Sequence, residues 1–360
     1  MGLAEARRKY QRRFRRQLIK KLREYGGEIA KIVLECYPNT PEELSDLLIE
    51  KLNFSFPKWI LKEILRTIYL LAIARPSTSL SITGQVIASS IGVNRIREYS
   101  PIPTHVPSRG GEYSKKIQEL MKEYIVTRVE EFCRLKGRGK FSKGLYKLEK
   151  EIGITNLGDI LSDFEKEEVN EKIARAVLLM ISYIEKERPI SEIIREHFFY
   201  SPLPSECSLR DLLESPLSFR AVVLRMALEV PGEAEAIISV EAGGTPFASI
   251  IAFLHKLPFI SIPKERGISS SSITIEVRRY GVDHVVISVP IGLPSNIQSI
   301  VIIDDMIMTG STSEGAIKIL LDRGYNVCKA IYAAATSYGR RRIEELIGKG
   351  RVFSLYNIPG

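Results

Sequence analysis

Two adjacent carboxylates stand between an apolar run and a turn rich in glycine and hydroxyl groups. The run 300–303 is Ile-Val-Ile-Ile, Asp304 and Asp305 follow it, and the turn 309–312 reads Thr-Gly-Ser-Thr. A turn of this kind at the start of a helix presents free backbone N–H groups that bind anions. The carboxylates cannot bind phosphate, but they accept hydrogen bonds from a diol. The stretch therefore predicts a ligand with a phosphate and vicinal hydroxyls, such as a ribose 5-phosphate.

The flanking residues predict the elements that position this site. The continuous apolar run over 300–303 predicts a strand over 299–303 that is buried on both faces of a parallel sheet. Helical spacing over 314–323, followed by Gly324, predicts the next helix. From residue 235 onward strand and helix patterns alternate, which predicts an α/β fold with a parallel sheet and with ligands at the carboxyl ends of its strands.

The stretch 299–312 resembles the phosphoribosyl-pyrophosphate (PRPP) loop of the type I phosphoribosyltransferases, and the resemblance extends over residues 197–357. It implies that Asp304 and Asp305 hold the ribose 2- and 3-hydroxyls, and that Asp305 also takes part in catalysis. The residues that it assigns to the 5-phosphate are Met308, Thr309, Gly310, Ser311 and Thr312. Met308 stands where the family more often has a small residue.

A second glycine-rich turn follows the strand predicted over 236–240. It consists of Glu241, Ala242, Gly243, Gly244 and Thr245. This turn resembles the pyrophosphate loop of the same family, although Gly243 stands where many adenine-type members have Arg. The run 266–280 resembles the family's flap, with a neutral, serine-rich tip.

The same resemblance implies the cations of the reaction. Lys264, which also belongs to the predicted pyrophosphate site, and Arg266 are expected to stabilise the charge of the departing pyrophosphate. Mg²⁺ would be held through PRPP, without direct protein ligands.

The charge of the chain is uneven. Residues 1–150 carry 30 Lys and Arg against 16 Asp and Glu, a balance of +14, whereas the whole chain has +9. The basic region therefore lies away from the predicted PRPP site, which favours a polyanionic partner for it. No apolar run approaches the ~20 residues that span a bilayer, and the four scattered cysteines show no metal or disulfide spacing. We expect a cytoplasmic protein that does not bind membranes.

The basic region predicts helices. Residues 4–25 have the composition of a basic helix, which we expect to end at Gly26-Gly27. Residues 82–91 and 94–99, separated by Gly92, resemble a helix-turn-helix, and Asn94, Arg95 and Arg97 would then face nucleic acid. A helical hairpin without a nucleic-acid partner is the alternative.

These patterns predict three parts: a basic helical domain over 1–110, a helical domain or extension over 111–196, and a phosphoribosyltransferase-type domain over 197–360. The resemblance implies a homodimer that transfers phosphoribosyl from PRPP to a nucleobase. Purine repressors also join a helix-turn-helix to this fold, so a PRPP-sensing, DNA-binding regulator is the alternative function.

Overall fold

The computed structural model describes residues 3–73, 81–92, 95–96, 112–137, 141–166, 169–201, 207–264, 272–279, 283–290, 294 and 296–359. The chain divides into two compact units, 1–186 and 187–360. The three-part division at 110 and 196 stays a prediction. Among the described helices, none combines the length and the apolar character needed to cross a membrane.

The regular elements described in the first unit are all helices. Its helices are α1 (Leu3–Cys36), α2 (Pro41–Leu52), α3 (Lys58–Ala72), α4 (Ile82–Ile91), α5 (Glu112–Gly137), α6 (Phe141–Ile152), α7 (Leu157–Glu165) and α8 (Glu171–Glu187). Apolar side chains at helical spacing form the core, as on α1, where Leu18, Leu22, Ile29 and Val33 are buried.

The expected end of α1 at Gly26-Gly27 is wrong, because the helix continues to Cys36. A Cβ atom built on Gly26 would lie 2.9 Å from the Cα atom of Ile91. The absence of a side chain at residue 26 therefore lets α4 approach the backbone of α1. Here glycine permits a helix crossing instead of ending a helix, and tertiary packing overrides the local propensity.

The predicted helix-turn-helix is described only in part. Helix α4 ends at Ile91, Gly92 has a φ of +73°, and the N–H groups of Arg95 and Ile96 donate to the Gly92 carbonyl. Arg95 and Ile96 are therefore helical. Asn94 and Arg97 lie outside the described residues, so the helix-turn-helix stays a prediction.

The second unit is an α/β domain, as predicted. Its helices are α9 (Ile190–Glu196), α10 (Arg210–Leu213), α11 (Pro216–Ala227), α12 (Thr245–His255), α13 (Ser311–Asp322) and α14 (Ser337–Ile347). Its strands are β1 (Ala236–Val240), β2 (Phe259–Ile262), β3 (Ser272–Arg279), β4 (Asp283–Pro290), β5 (Ser299–Ile307), β6 (Asn326–Thr336) and β7 (Val352–Ile358).

Five of these strands form one parallel sheet in the order β2-β1-β5-β6-β7. The strand with the acid pair, β5, is central and lies between β1 and β6. Strands β3 and β4 form a separate antiparallel hairpin. Because β1 and β5 are parallel neighbours, the turns that follow them meet at the same edge of the sheet.

Strand β5 is longer than predicted. It was expected to end at Ile303, but its pairing with β6 continues from Asp304 opposite Tyr332 to Ile307 opposite Ala335. The acid pair therefore belongs to the strand and not to a loop. Its backbone is fixed by the sheet, which gives the two carboxylates defined directions.

Candidate active site

The acid pair is largely withdrawn from solvent. Asp304 is 8% exposed, and the backbone N–H of Asp305 donates to its Oδ1 at 3.0 Å. The N–H of Met306 donates to Oδ1 of Asp305 at 2.8 Å. Burial raises the pKa of Asp304 well above its usual range, the neighbouring Asp305 charge raises it further, and Lys264 opposes the shift. Burial also raises the pKa of Asp305.

The turn after β5 has the geometry of an anion site. Gly310 has a φ of +77°, which favours glycine, and α13 begins directly after it. The hydroxyls of Thr309 and Ser311 are 3.0 Å apart. The first N–H groups of α13 have no partner within the helix itself, and the helix dipole favours negative charge at this end.

One residue of α14 and its N-cap residue form hydrogen bonds to the backbone of this turn. The hydroxyl of Thr336 donates to the carbonyl of Met308, and Arg342 donates from Nη1 to the carbonyl of Thr309 at 3.3 Å. Arg342 also forms an ion pair with Glu314 in the first turn of α13. The sequence patterns did not indicate this support, because its residues follow the turn by about 30 positions and form no motif of their own.

The turn after β1 packs directly on the acid pair. A Cβ atom on Gly243 would overlap the carboxylate of Asp305, and one on Gly244 would overlap the carboxylate of Asp304. Glu241 accepts a hydrogen bond from the hydroxyl of Ser261 at 2.9 Å, and its own N–H donates to Ile262. The two predicted loops therefore share one site, and glycine at 243 and 244 permits their close approach.

Lys264 lies two residues after the end of β2 and beside β4. It pairs with Ile287 of β4, and the N–H of Ser288 donates to the carbonyl of Pro263 at 3.2 Å. This places β4 beside the site, and its partner β3 belongs to the run 266–280 that was predicted as the flap. Arg266 lies outside the described residues.

A cavity of about 490 Å³ unites these groups. The predicted residues that line it are Glu241, Ala242, Gly243, Lys264, Asp304, Asp305, Met308, Thr309, Gly310, Ser311 and Thr312. Gly244 and Thr245 do not line it, and they form the start of α12. Cys207 and Ser208 also line it, and no motif in the sequence indicated them as site residues, because they precede β1 by about 30 residues.

The charges that line the cavity are mostly negative. Glu241, Asp304 and Asp305 face it, and Lys264 is the only Lys or Arg among the described lining residues. Carboxylate oxygens are suitable neighbours for Mg²⁺. Within the described residues, however, no group of three or more His, Cys, Asp or Glu side chains could hold a metal ion.

The parallel sheet, with two glycine-rich turns and the paired acids at one edge, is the arrangement of a phosphoribosyltransferase-type domain. Sequence comparison agrees. The chain is 33% identical over 122 residues to an adenine phosphoribosyltransferase of Mycoplasma mobile, a match that covers 34% of this chain and 70% of that protein. It is 30% identical over 123 residues to the adenine phosphoribosyltransferase of Rhodopseudomonas palustris BisB5, a match that covers 34% of this chain and 67% of that protein. Through this relationship the chain belongs to the type I phosphoribosyltransferase family.

Solved structures were compared as well. The adenine phosphoribosyltransferase of Giardia lamblia in complex with 9-deazaadenine aligns with 48% of this chain and 98% of its own, at a TM-score of 0.41 and 18% identity. The adenine phosphoribosyltransferase of Thermoanaerobacter pseudethanolicus aligns with 47% of this chain and 99% of its own, at a TM-score of 0.39 and 18% identity. A scan against protein-family models found no match.

Proposed function

We propose that the chain binds PRPP in the 490 Å³ cavity and transfers its phosphoribosyl group to a nucleobase. The observation that carries this proposal is the meeting of the acid pair and the 309–312 turn at one cavity, in a chain of this family. In the reaction the bond from ribose C1 to pyrophosphate breaks, and a bond from C1 to a base nitrogen forms.

Each part of the cavity has a role in this proposal. The carboxylates of Asp304 and Asp305 accept hydrogen bonds from the ribose hydroxyls. The backbone N–H groups and hydroxyls of residues 308–312 hold the 5-phosphate. The backbone of Ala242 and Gly243 and the ammonium of Lys264 face the pyrophosphate and stabilise the charge that develops as it leaves. Catalysis is then mainly a matter of positioning and charge stabilisation.

Mg²⁺ is the cofactor that we propose. It would supply charge neutralisation for the pyrophosphate, and it would reach the site on PRPP. The three carboxylates that line the cavity are the protein groups that would face it. Asp304 and Asp305 must then be ionised, although burial raises the pKa of both. Cation binding is therefore coupled to loss of a proton from this pair.

Adenine is the first base to test, since the named relatives are adenine phosphoribosyltransferases. The purified chain would be incubated with PRPP, Mg²⁺ and, separately, adenine, guanine, hypoxanthine, orotate or uracil. We expect one base to yield its nucleotide together with an equal amount of pyrophosphate, and Asp305→Asn to lose this activity. Pyrophosphate release that does not depend on any base, or no release with all five, would contradict the transfer reaction.

PRPP sensing is the second candidate function, with DNA binding as its output. The observation that favours it is the weak positive charge around the cavity, where Gly243 replaces a cation of many adenine-type enzymes and Lys264 is the lone cation of the described lining. Calorimetry separates the two functions. PRPP binding without turnover of any base supports the sensor, and turnover supports the enzyme.

The homodimer stays a proposal. On α12, Phe253 is 82% exposed and Ile250 is 38% exposed. A second copy of the chain would remove such apolar surface from water. Sedimentation of the wild type and of Phe253→Ser tests this, because the dimer should dissociate at a higher concentration in the variant.

A further inference from the structure

One face of α1 carries a row of cations. Arg16, Lys20 and Arg23 are all exposed, and their spacing of four and three residues places them on the same face of the helix. The next position of this row is Gly27, which has no side chain of its own. At 1.5 Å per residue, the row from 16 to 27 is about 16 Å long.

The side chain of Arg95 lies next to the Cα atom of Gly27, where a side chain at residue 27 would otherwise lie. A Cβ atom on Gly27 would lie 3.0 Å from Nη1 and 3.1 Å from Cδ of Arg95. The exposed Arg95 side chain therefore lies across the backbone of α1 and continues its row of cations. Two distant parts of the sequence together form one cationic ridge, which we define as Arg16, Lys20, Arg23 and Arg95.

We propose that this cationic ridge binds the phosphate backbone of duplex DNA. Charge complementarity is the first argument. Duplex DNA carries one negative charge per about 1.7 Å of its axis, so a ridge of about 16 Å meets several phosphates at once. The +14 balance of residues 1–150 adds a long-range attraction to the same polyanion.

The shape of the surface favours DNA over duplex RNA. The ridge is built on a long regular helix, and the helical turn that carries Arg95 starts beside it. The major groove of B-form DNA admits an α-helix, whereas that of A-form RNA is too deep and narrow for side chains to read. The acidic residues Glu24 and Glu28 are exposed on α1 at one flank of the ridge, so the DNA would approach from the other flank.

This proposal rests on the second candidate function, for which it names the contact surface, and it is independent of phosphoribosyl transfer. The test is a titration of a labelled DNA duplex with the full chain, by fluorescence anisotropy at several salt concentrations and without PRPP. The variants are Arg16→Ala, Lys20→Ala, Arg23→Ala and Arg95→Ala. Each should lower the magnitude of the slope of log K against log salt by about 0.9.

Two further variants test whether DNA binding depends on the position of the charges or only on the net charge. Lys21→Ala removes one charge from another face of α1, where the ammonium lies 4.8 Å from the centre of the Phe54 ring, and it should leave the slope nearly unchanged. Gly27→Leu keeps every charge but fills the space of the Arg95 side chain. It should weaken binding as Arg95→Ala does, while leucine at this position favours the helix.

The proposal is overturned if the wild type shows no salt-dependent affinity for duplex DNA. It is also overturned if Lys21→Ala lowers the slope as much as the ridge variants, or if a duplex RNA of equal length binds as tightly. Circular dichroism of each variant confirms that the helices are intact. Because PRPP is absent from the titration, failure here leaves the outcome of the transfer assay unaffected.

Discussion

The carboxylate of Asp305 lies directly against the Cα atom of Gly243, in the space that a Cβ atom would occupy. This contact joins the turn after β1 to the acid pair of β5. It explains the type of residue at 243, since any side chain there must displace the carboxylate that we assign to the ribose.

Gly243→Ala tests this relationship. The added methyl group should push the Asp305 carboxylate aside at a cost of about 1–3 kcal/mol, the usual range for overpacking. We expect PRPP to bind about tenfold more weakly, which corresponds to about 1.4 kcal/mol, as measured by calorimetry. Gly158→Ala is the matched control, because a Cβ atom there meets no atom within 4 Å. Equal PRPP affinity in wild type and Gly243→Ala would contradict the close approach.

Asp304→Asn should separate activity from stability. The neutral amide loses the charged acceptor for a ribose hydroxyl, so kcat/KM should fall by about 10- to 100-fold, the value of a hydrogen bond to a charged group. The same change should raise the melting temperature at neutral pH, because the buried carboxylate no longer has to ionise. Activity assays and thermal melts of one preparation test both effects.

The stability gain of Asp304→Asn depends on pH in a defined direction. Burial raises the pKa of Asp304 in the folded state above its unfolded value of about 3.9. In the pH interval between these two pKa values, the folded protein binds more protons than the unfolded protein. The stability of the wild type therefore falls as pH rises through the interval. The advantage of the variant should be larger at pH 8 than at pH 4. A gain that is the same at both values would contradict the raised pKa.

The local part of the site could be predicted because its residues are neighbours in sequence. The strand, the acid pair, the 309–312 turn and the start of α13 follow one another, so spacing alone indicated a phosphate and a diol. Contacts between distant segments could not be predicted in this way. The packing of Gly243 on Asp305 depends on β1 and β5 being adjacent, and the support from Arg342 depends on where α14 packs.

The ends of elements were the weaker predictions, for a physical reason. Local rules end a helix at glycine and a strand at a charged pair. Gly26 and Gly27 instead lie inside α1, where they leave space for Ile91 and Arg95. The acid pair stays in β5 because β6 continues to pair with that strand. In both places a tertiary contact outweighs a local preference, and that contact is invisible in a single sequence.

Arg342→Met tests whether Arg342 positions the 309–312 turn. Methionine keeps much of the side-chain length but cannot donate to the Thr309 carbonyl or pair with Glu314. We expect KM for PRPP to rise about tenfold, equivalent to about 1.4 kcal/mol, with kcat changed less than about twofold. Arg342→Lys should recover part of the loss. Arg341→Met, at the exposed neighbouring position, is the control and should behave as wild type. A fall in kcat with unchanged KM would contradict the positioning role.

Glu229 gives the second unit a dependence on pH of the opposite sign. Burial opposes ionisation of this carboxylate, but Arg225 at 3.0 Å and Lys329 at 2.5 Å outweigh burial and lower its pKa below the usual range. Its contribution to stability is therefore complete above the unfolded pKa of about 4.3 and is lost as pH falls below that value. Glu229→Gln leaves two partly buried cations without their counter-charge, and it should lower the free energy of unfolding by about 3–5 kcal/mol at pH 7. Denaturant titrations at pH 7 and pH 3 measure this, and the difference between wild type and variant should shrink at the lower pH. A difference of less than about 1 kcal/mol at pH 7, the range of an exposed ion pair, would show that the ion pairs of Glu229 do not stabilise the unit.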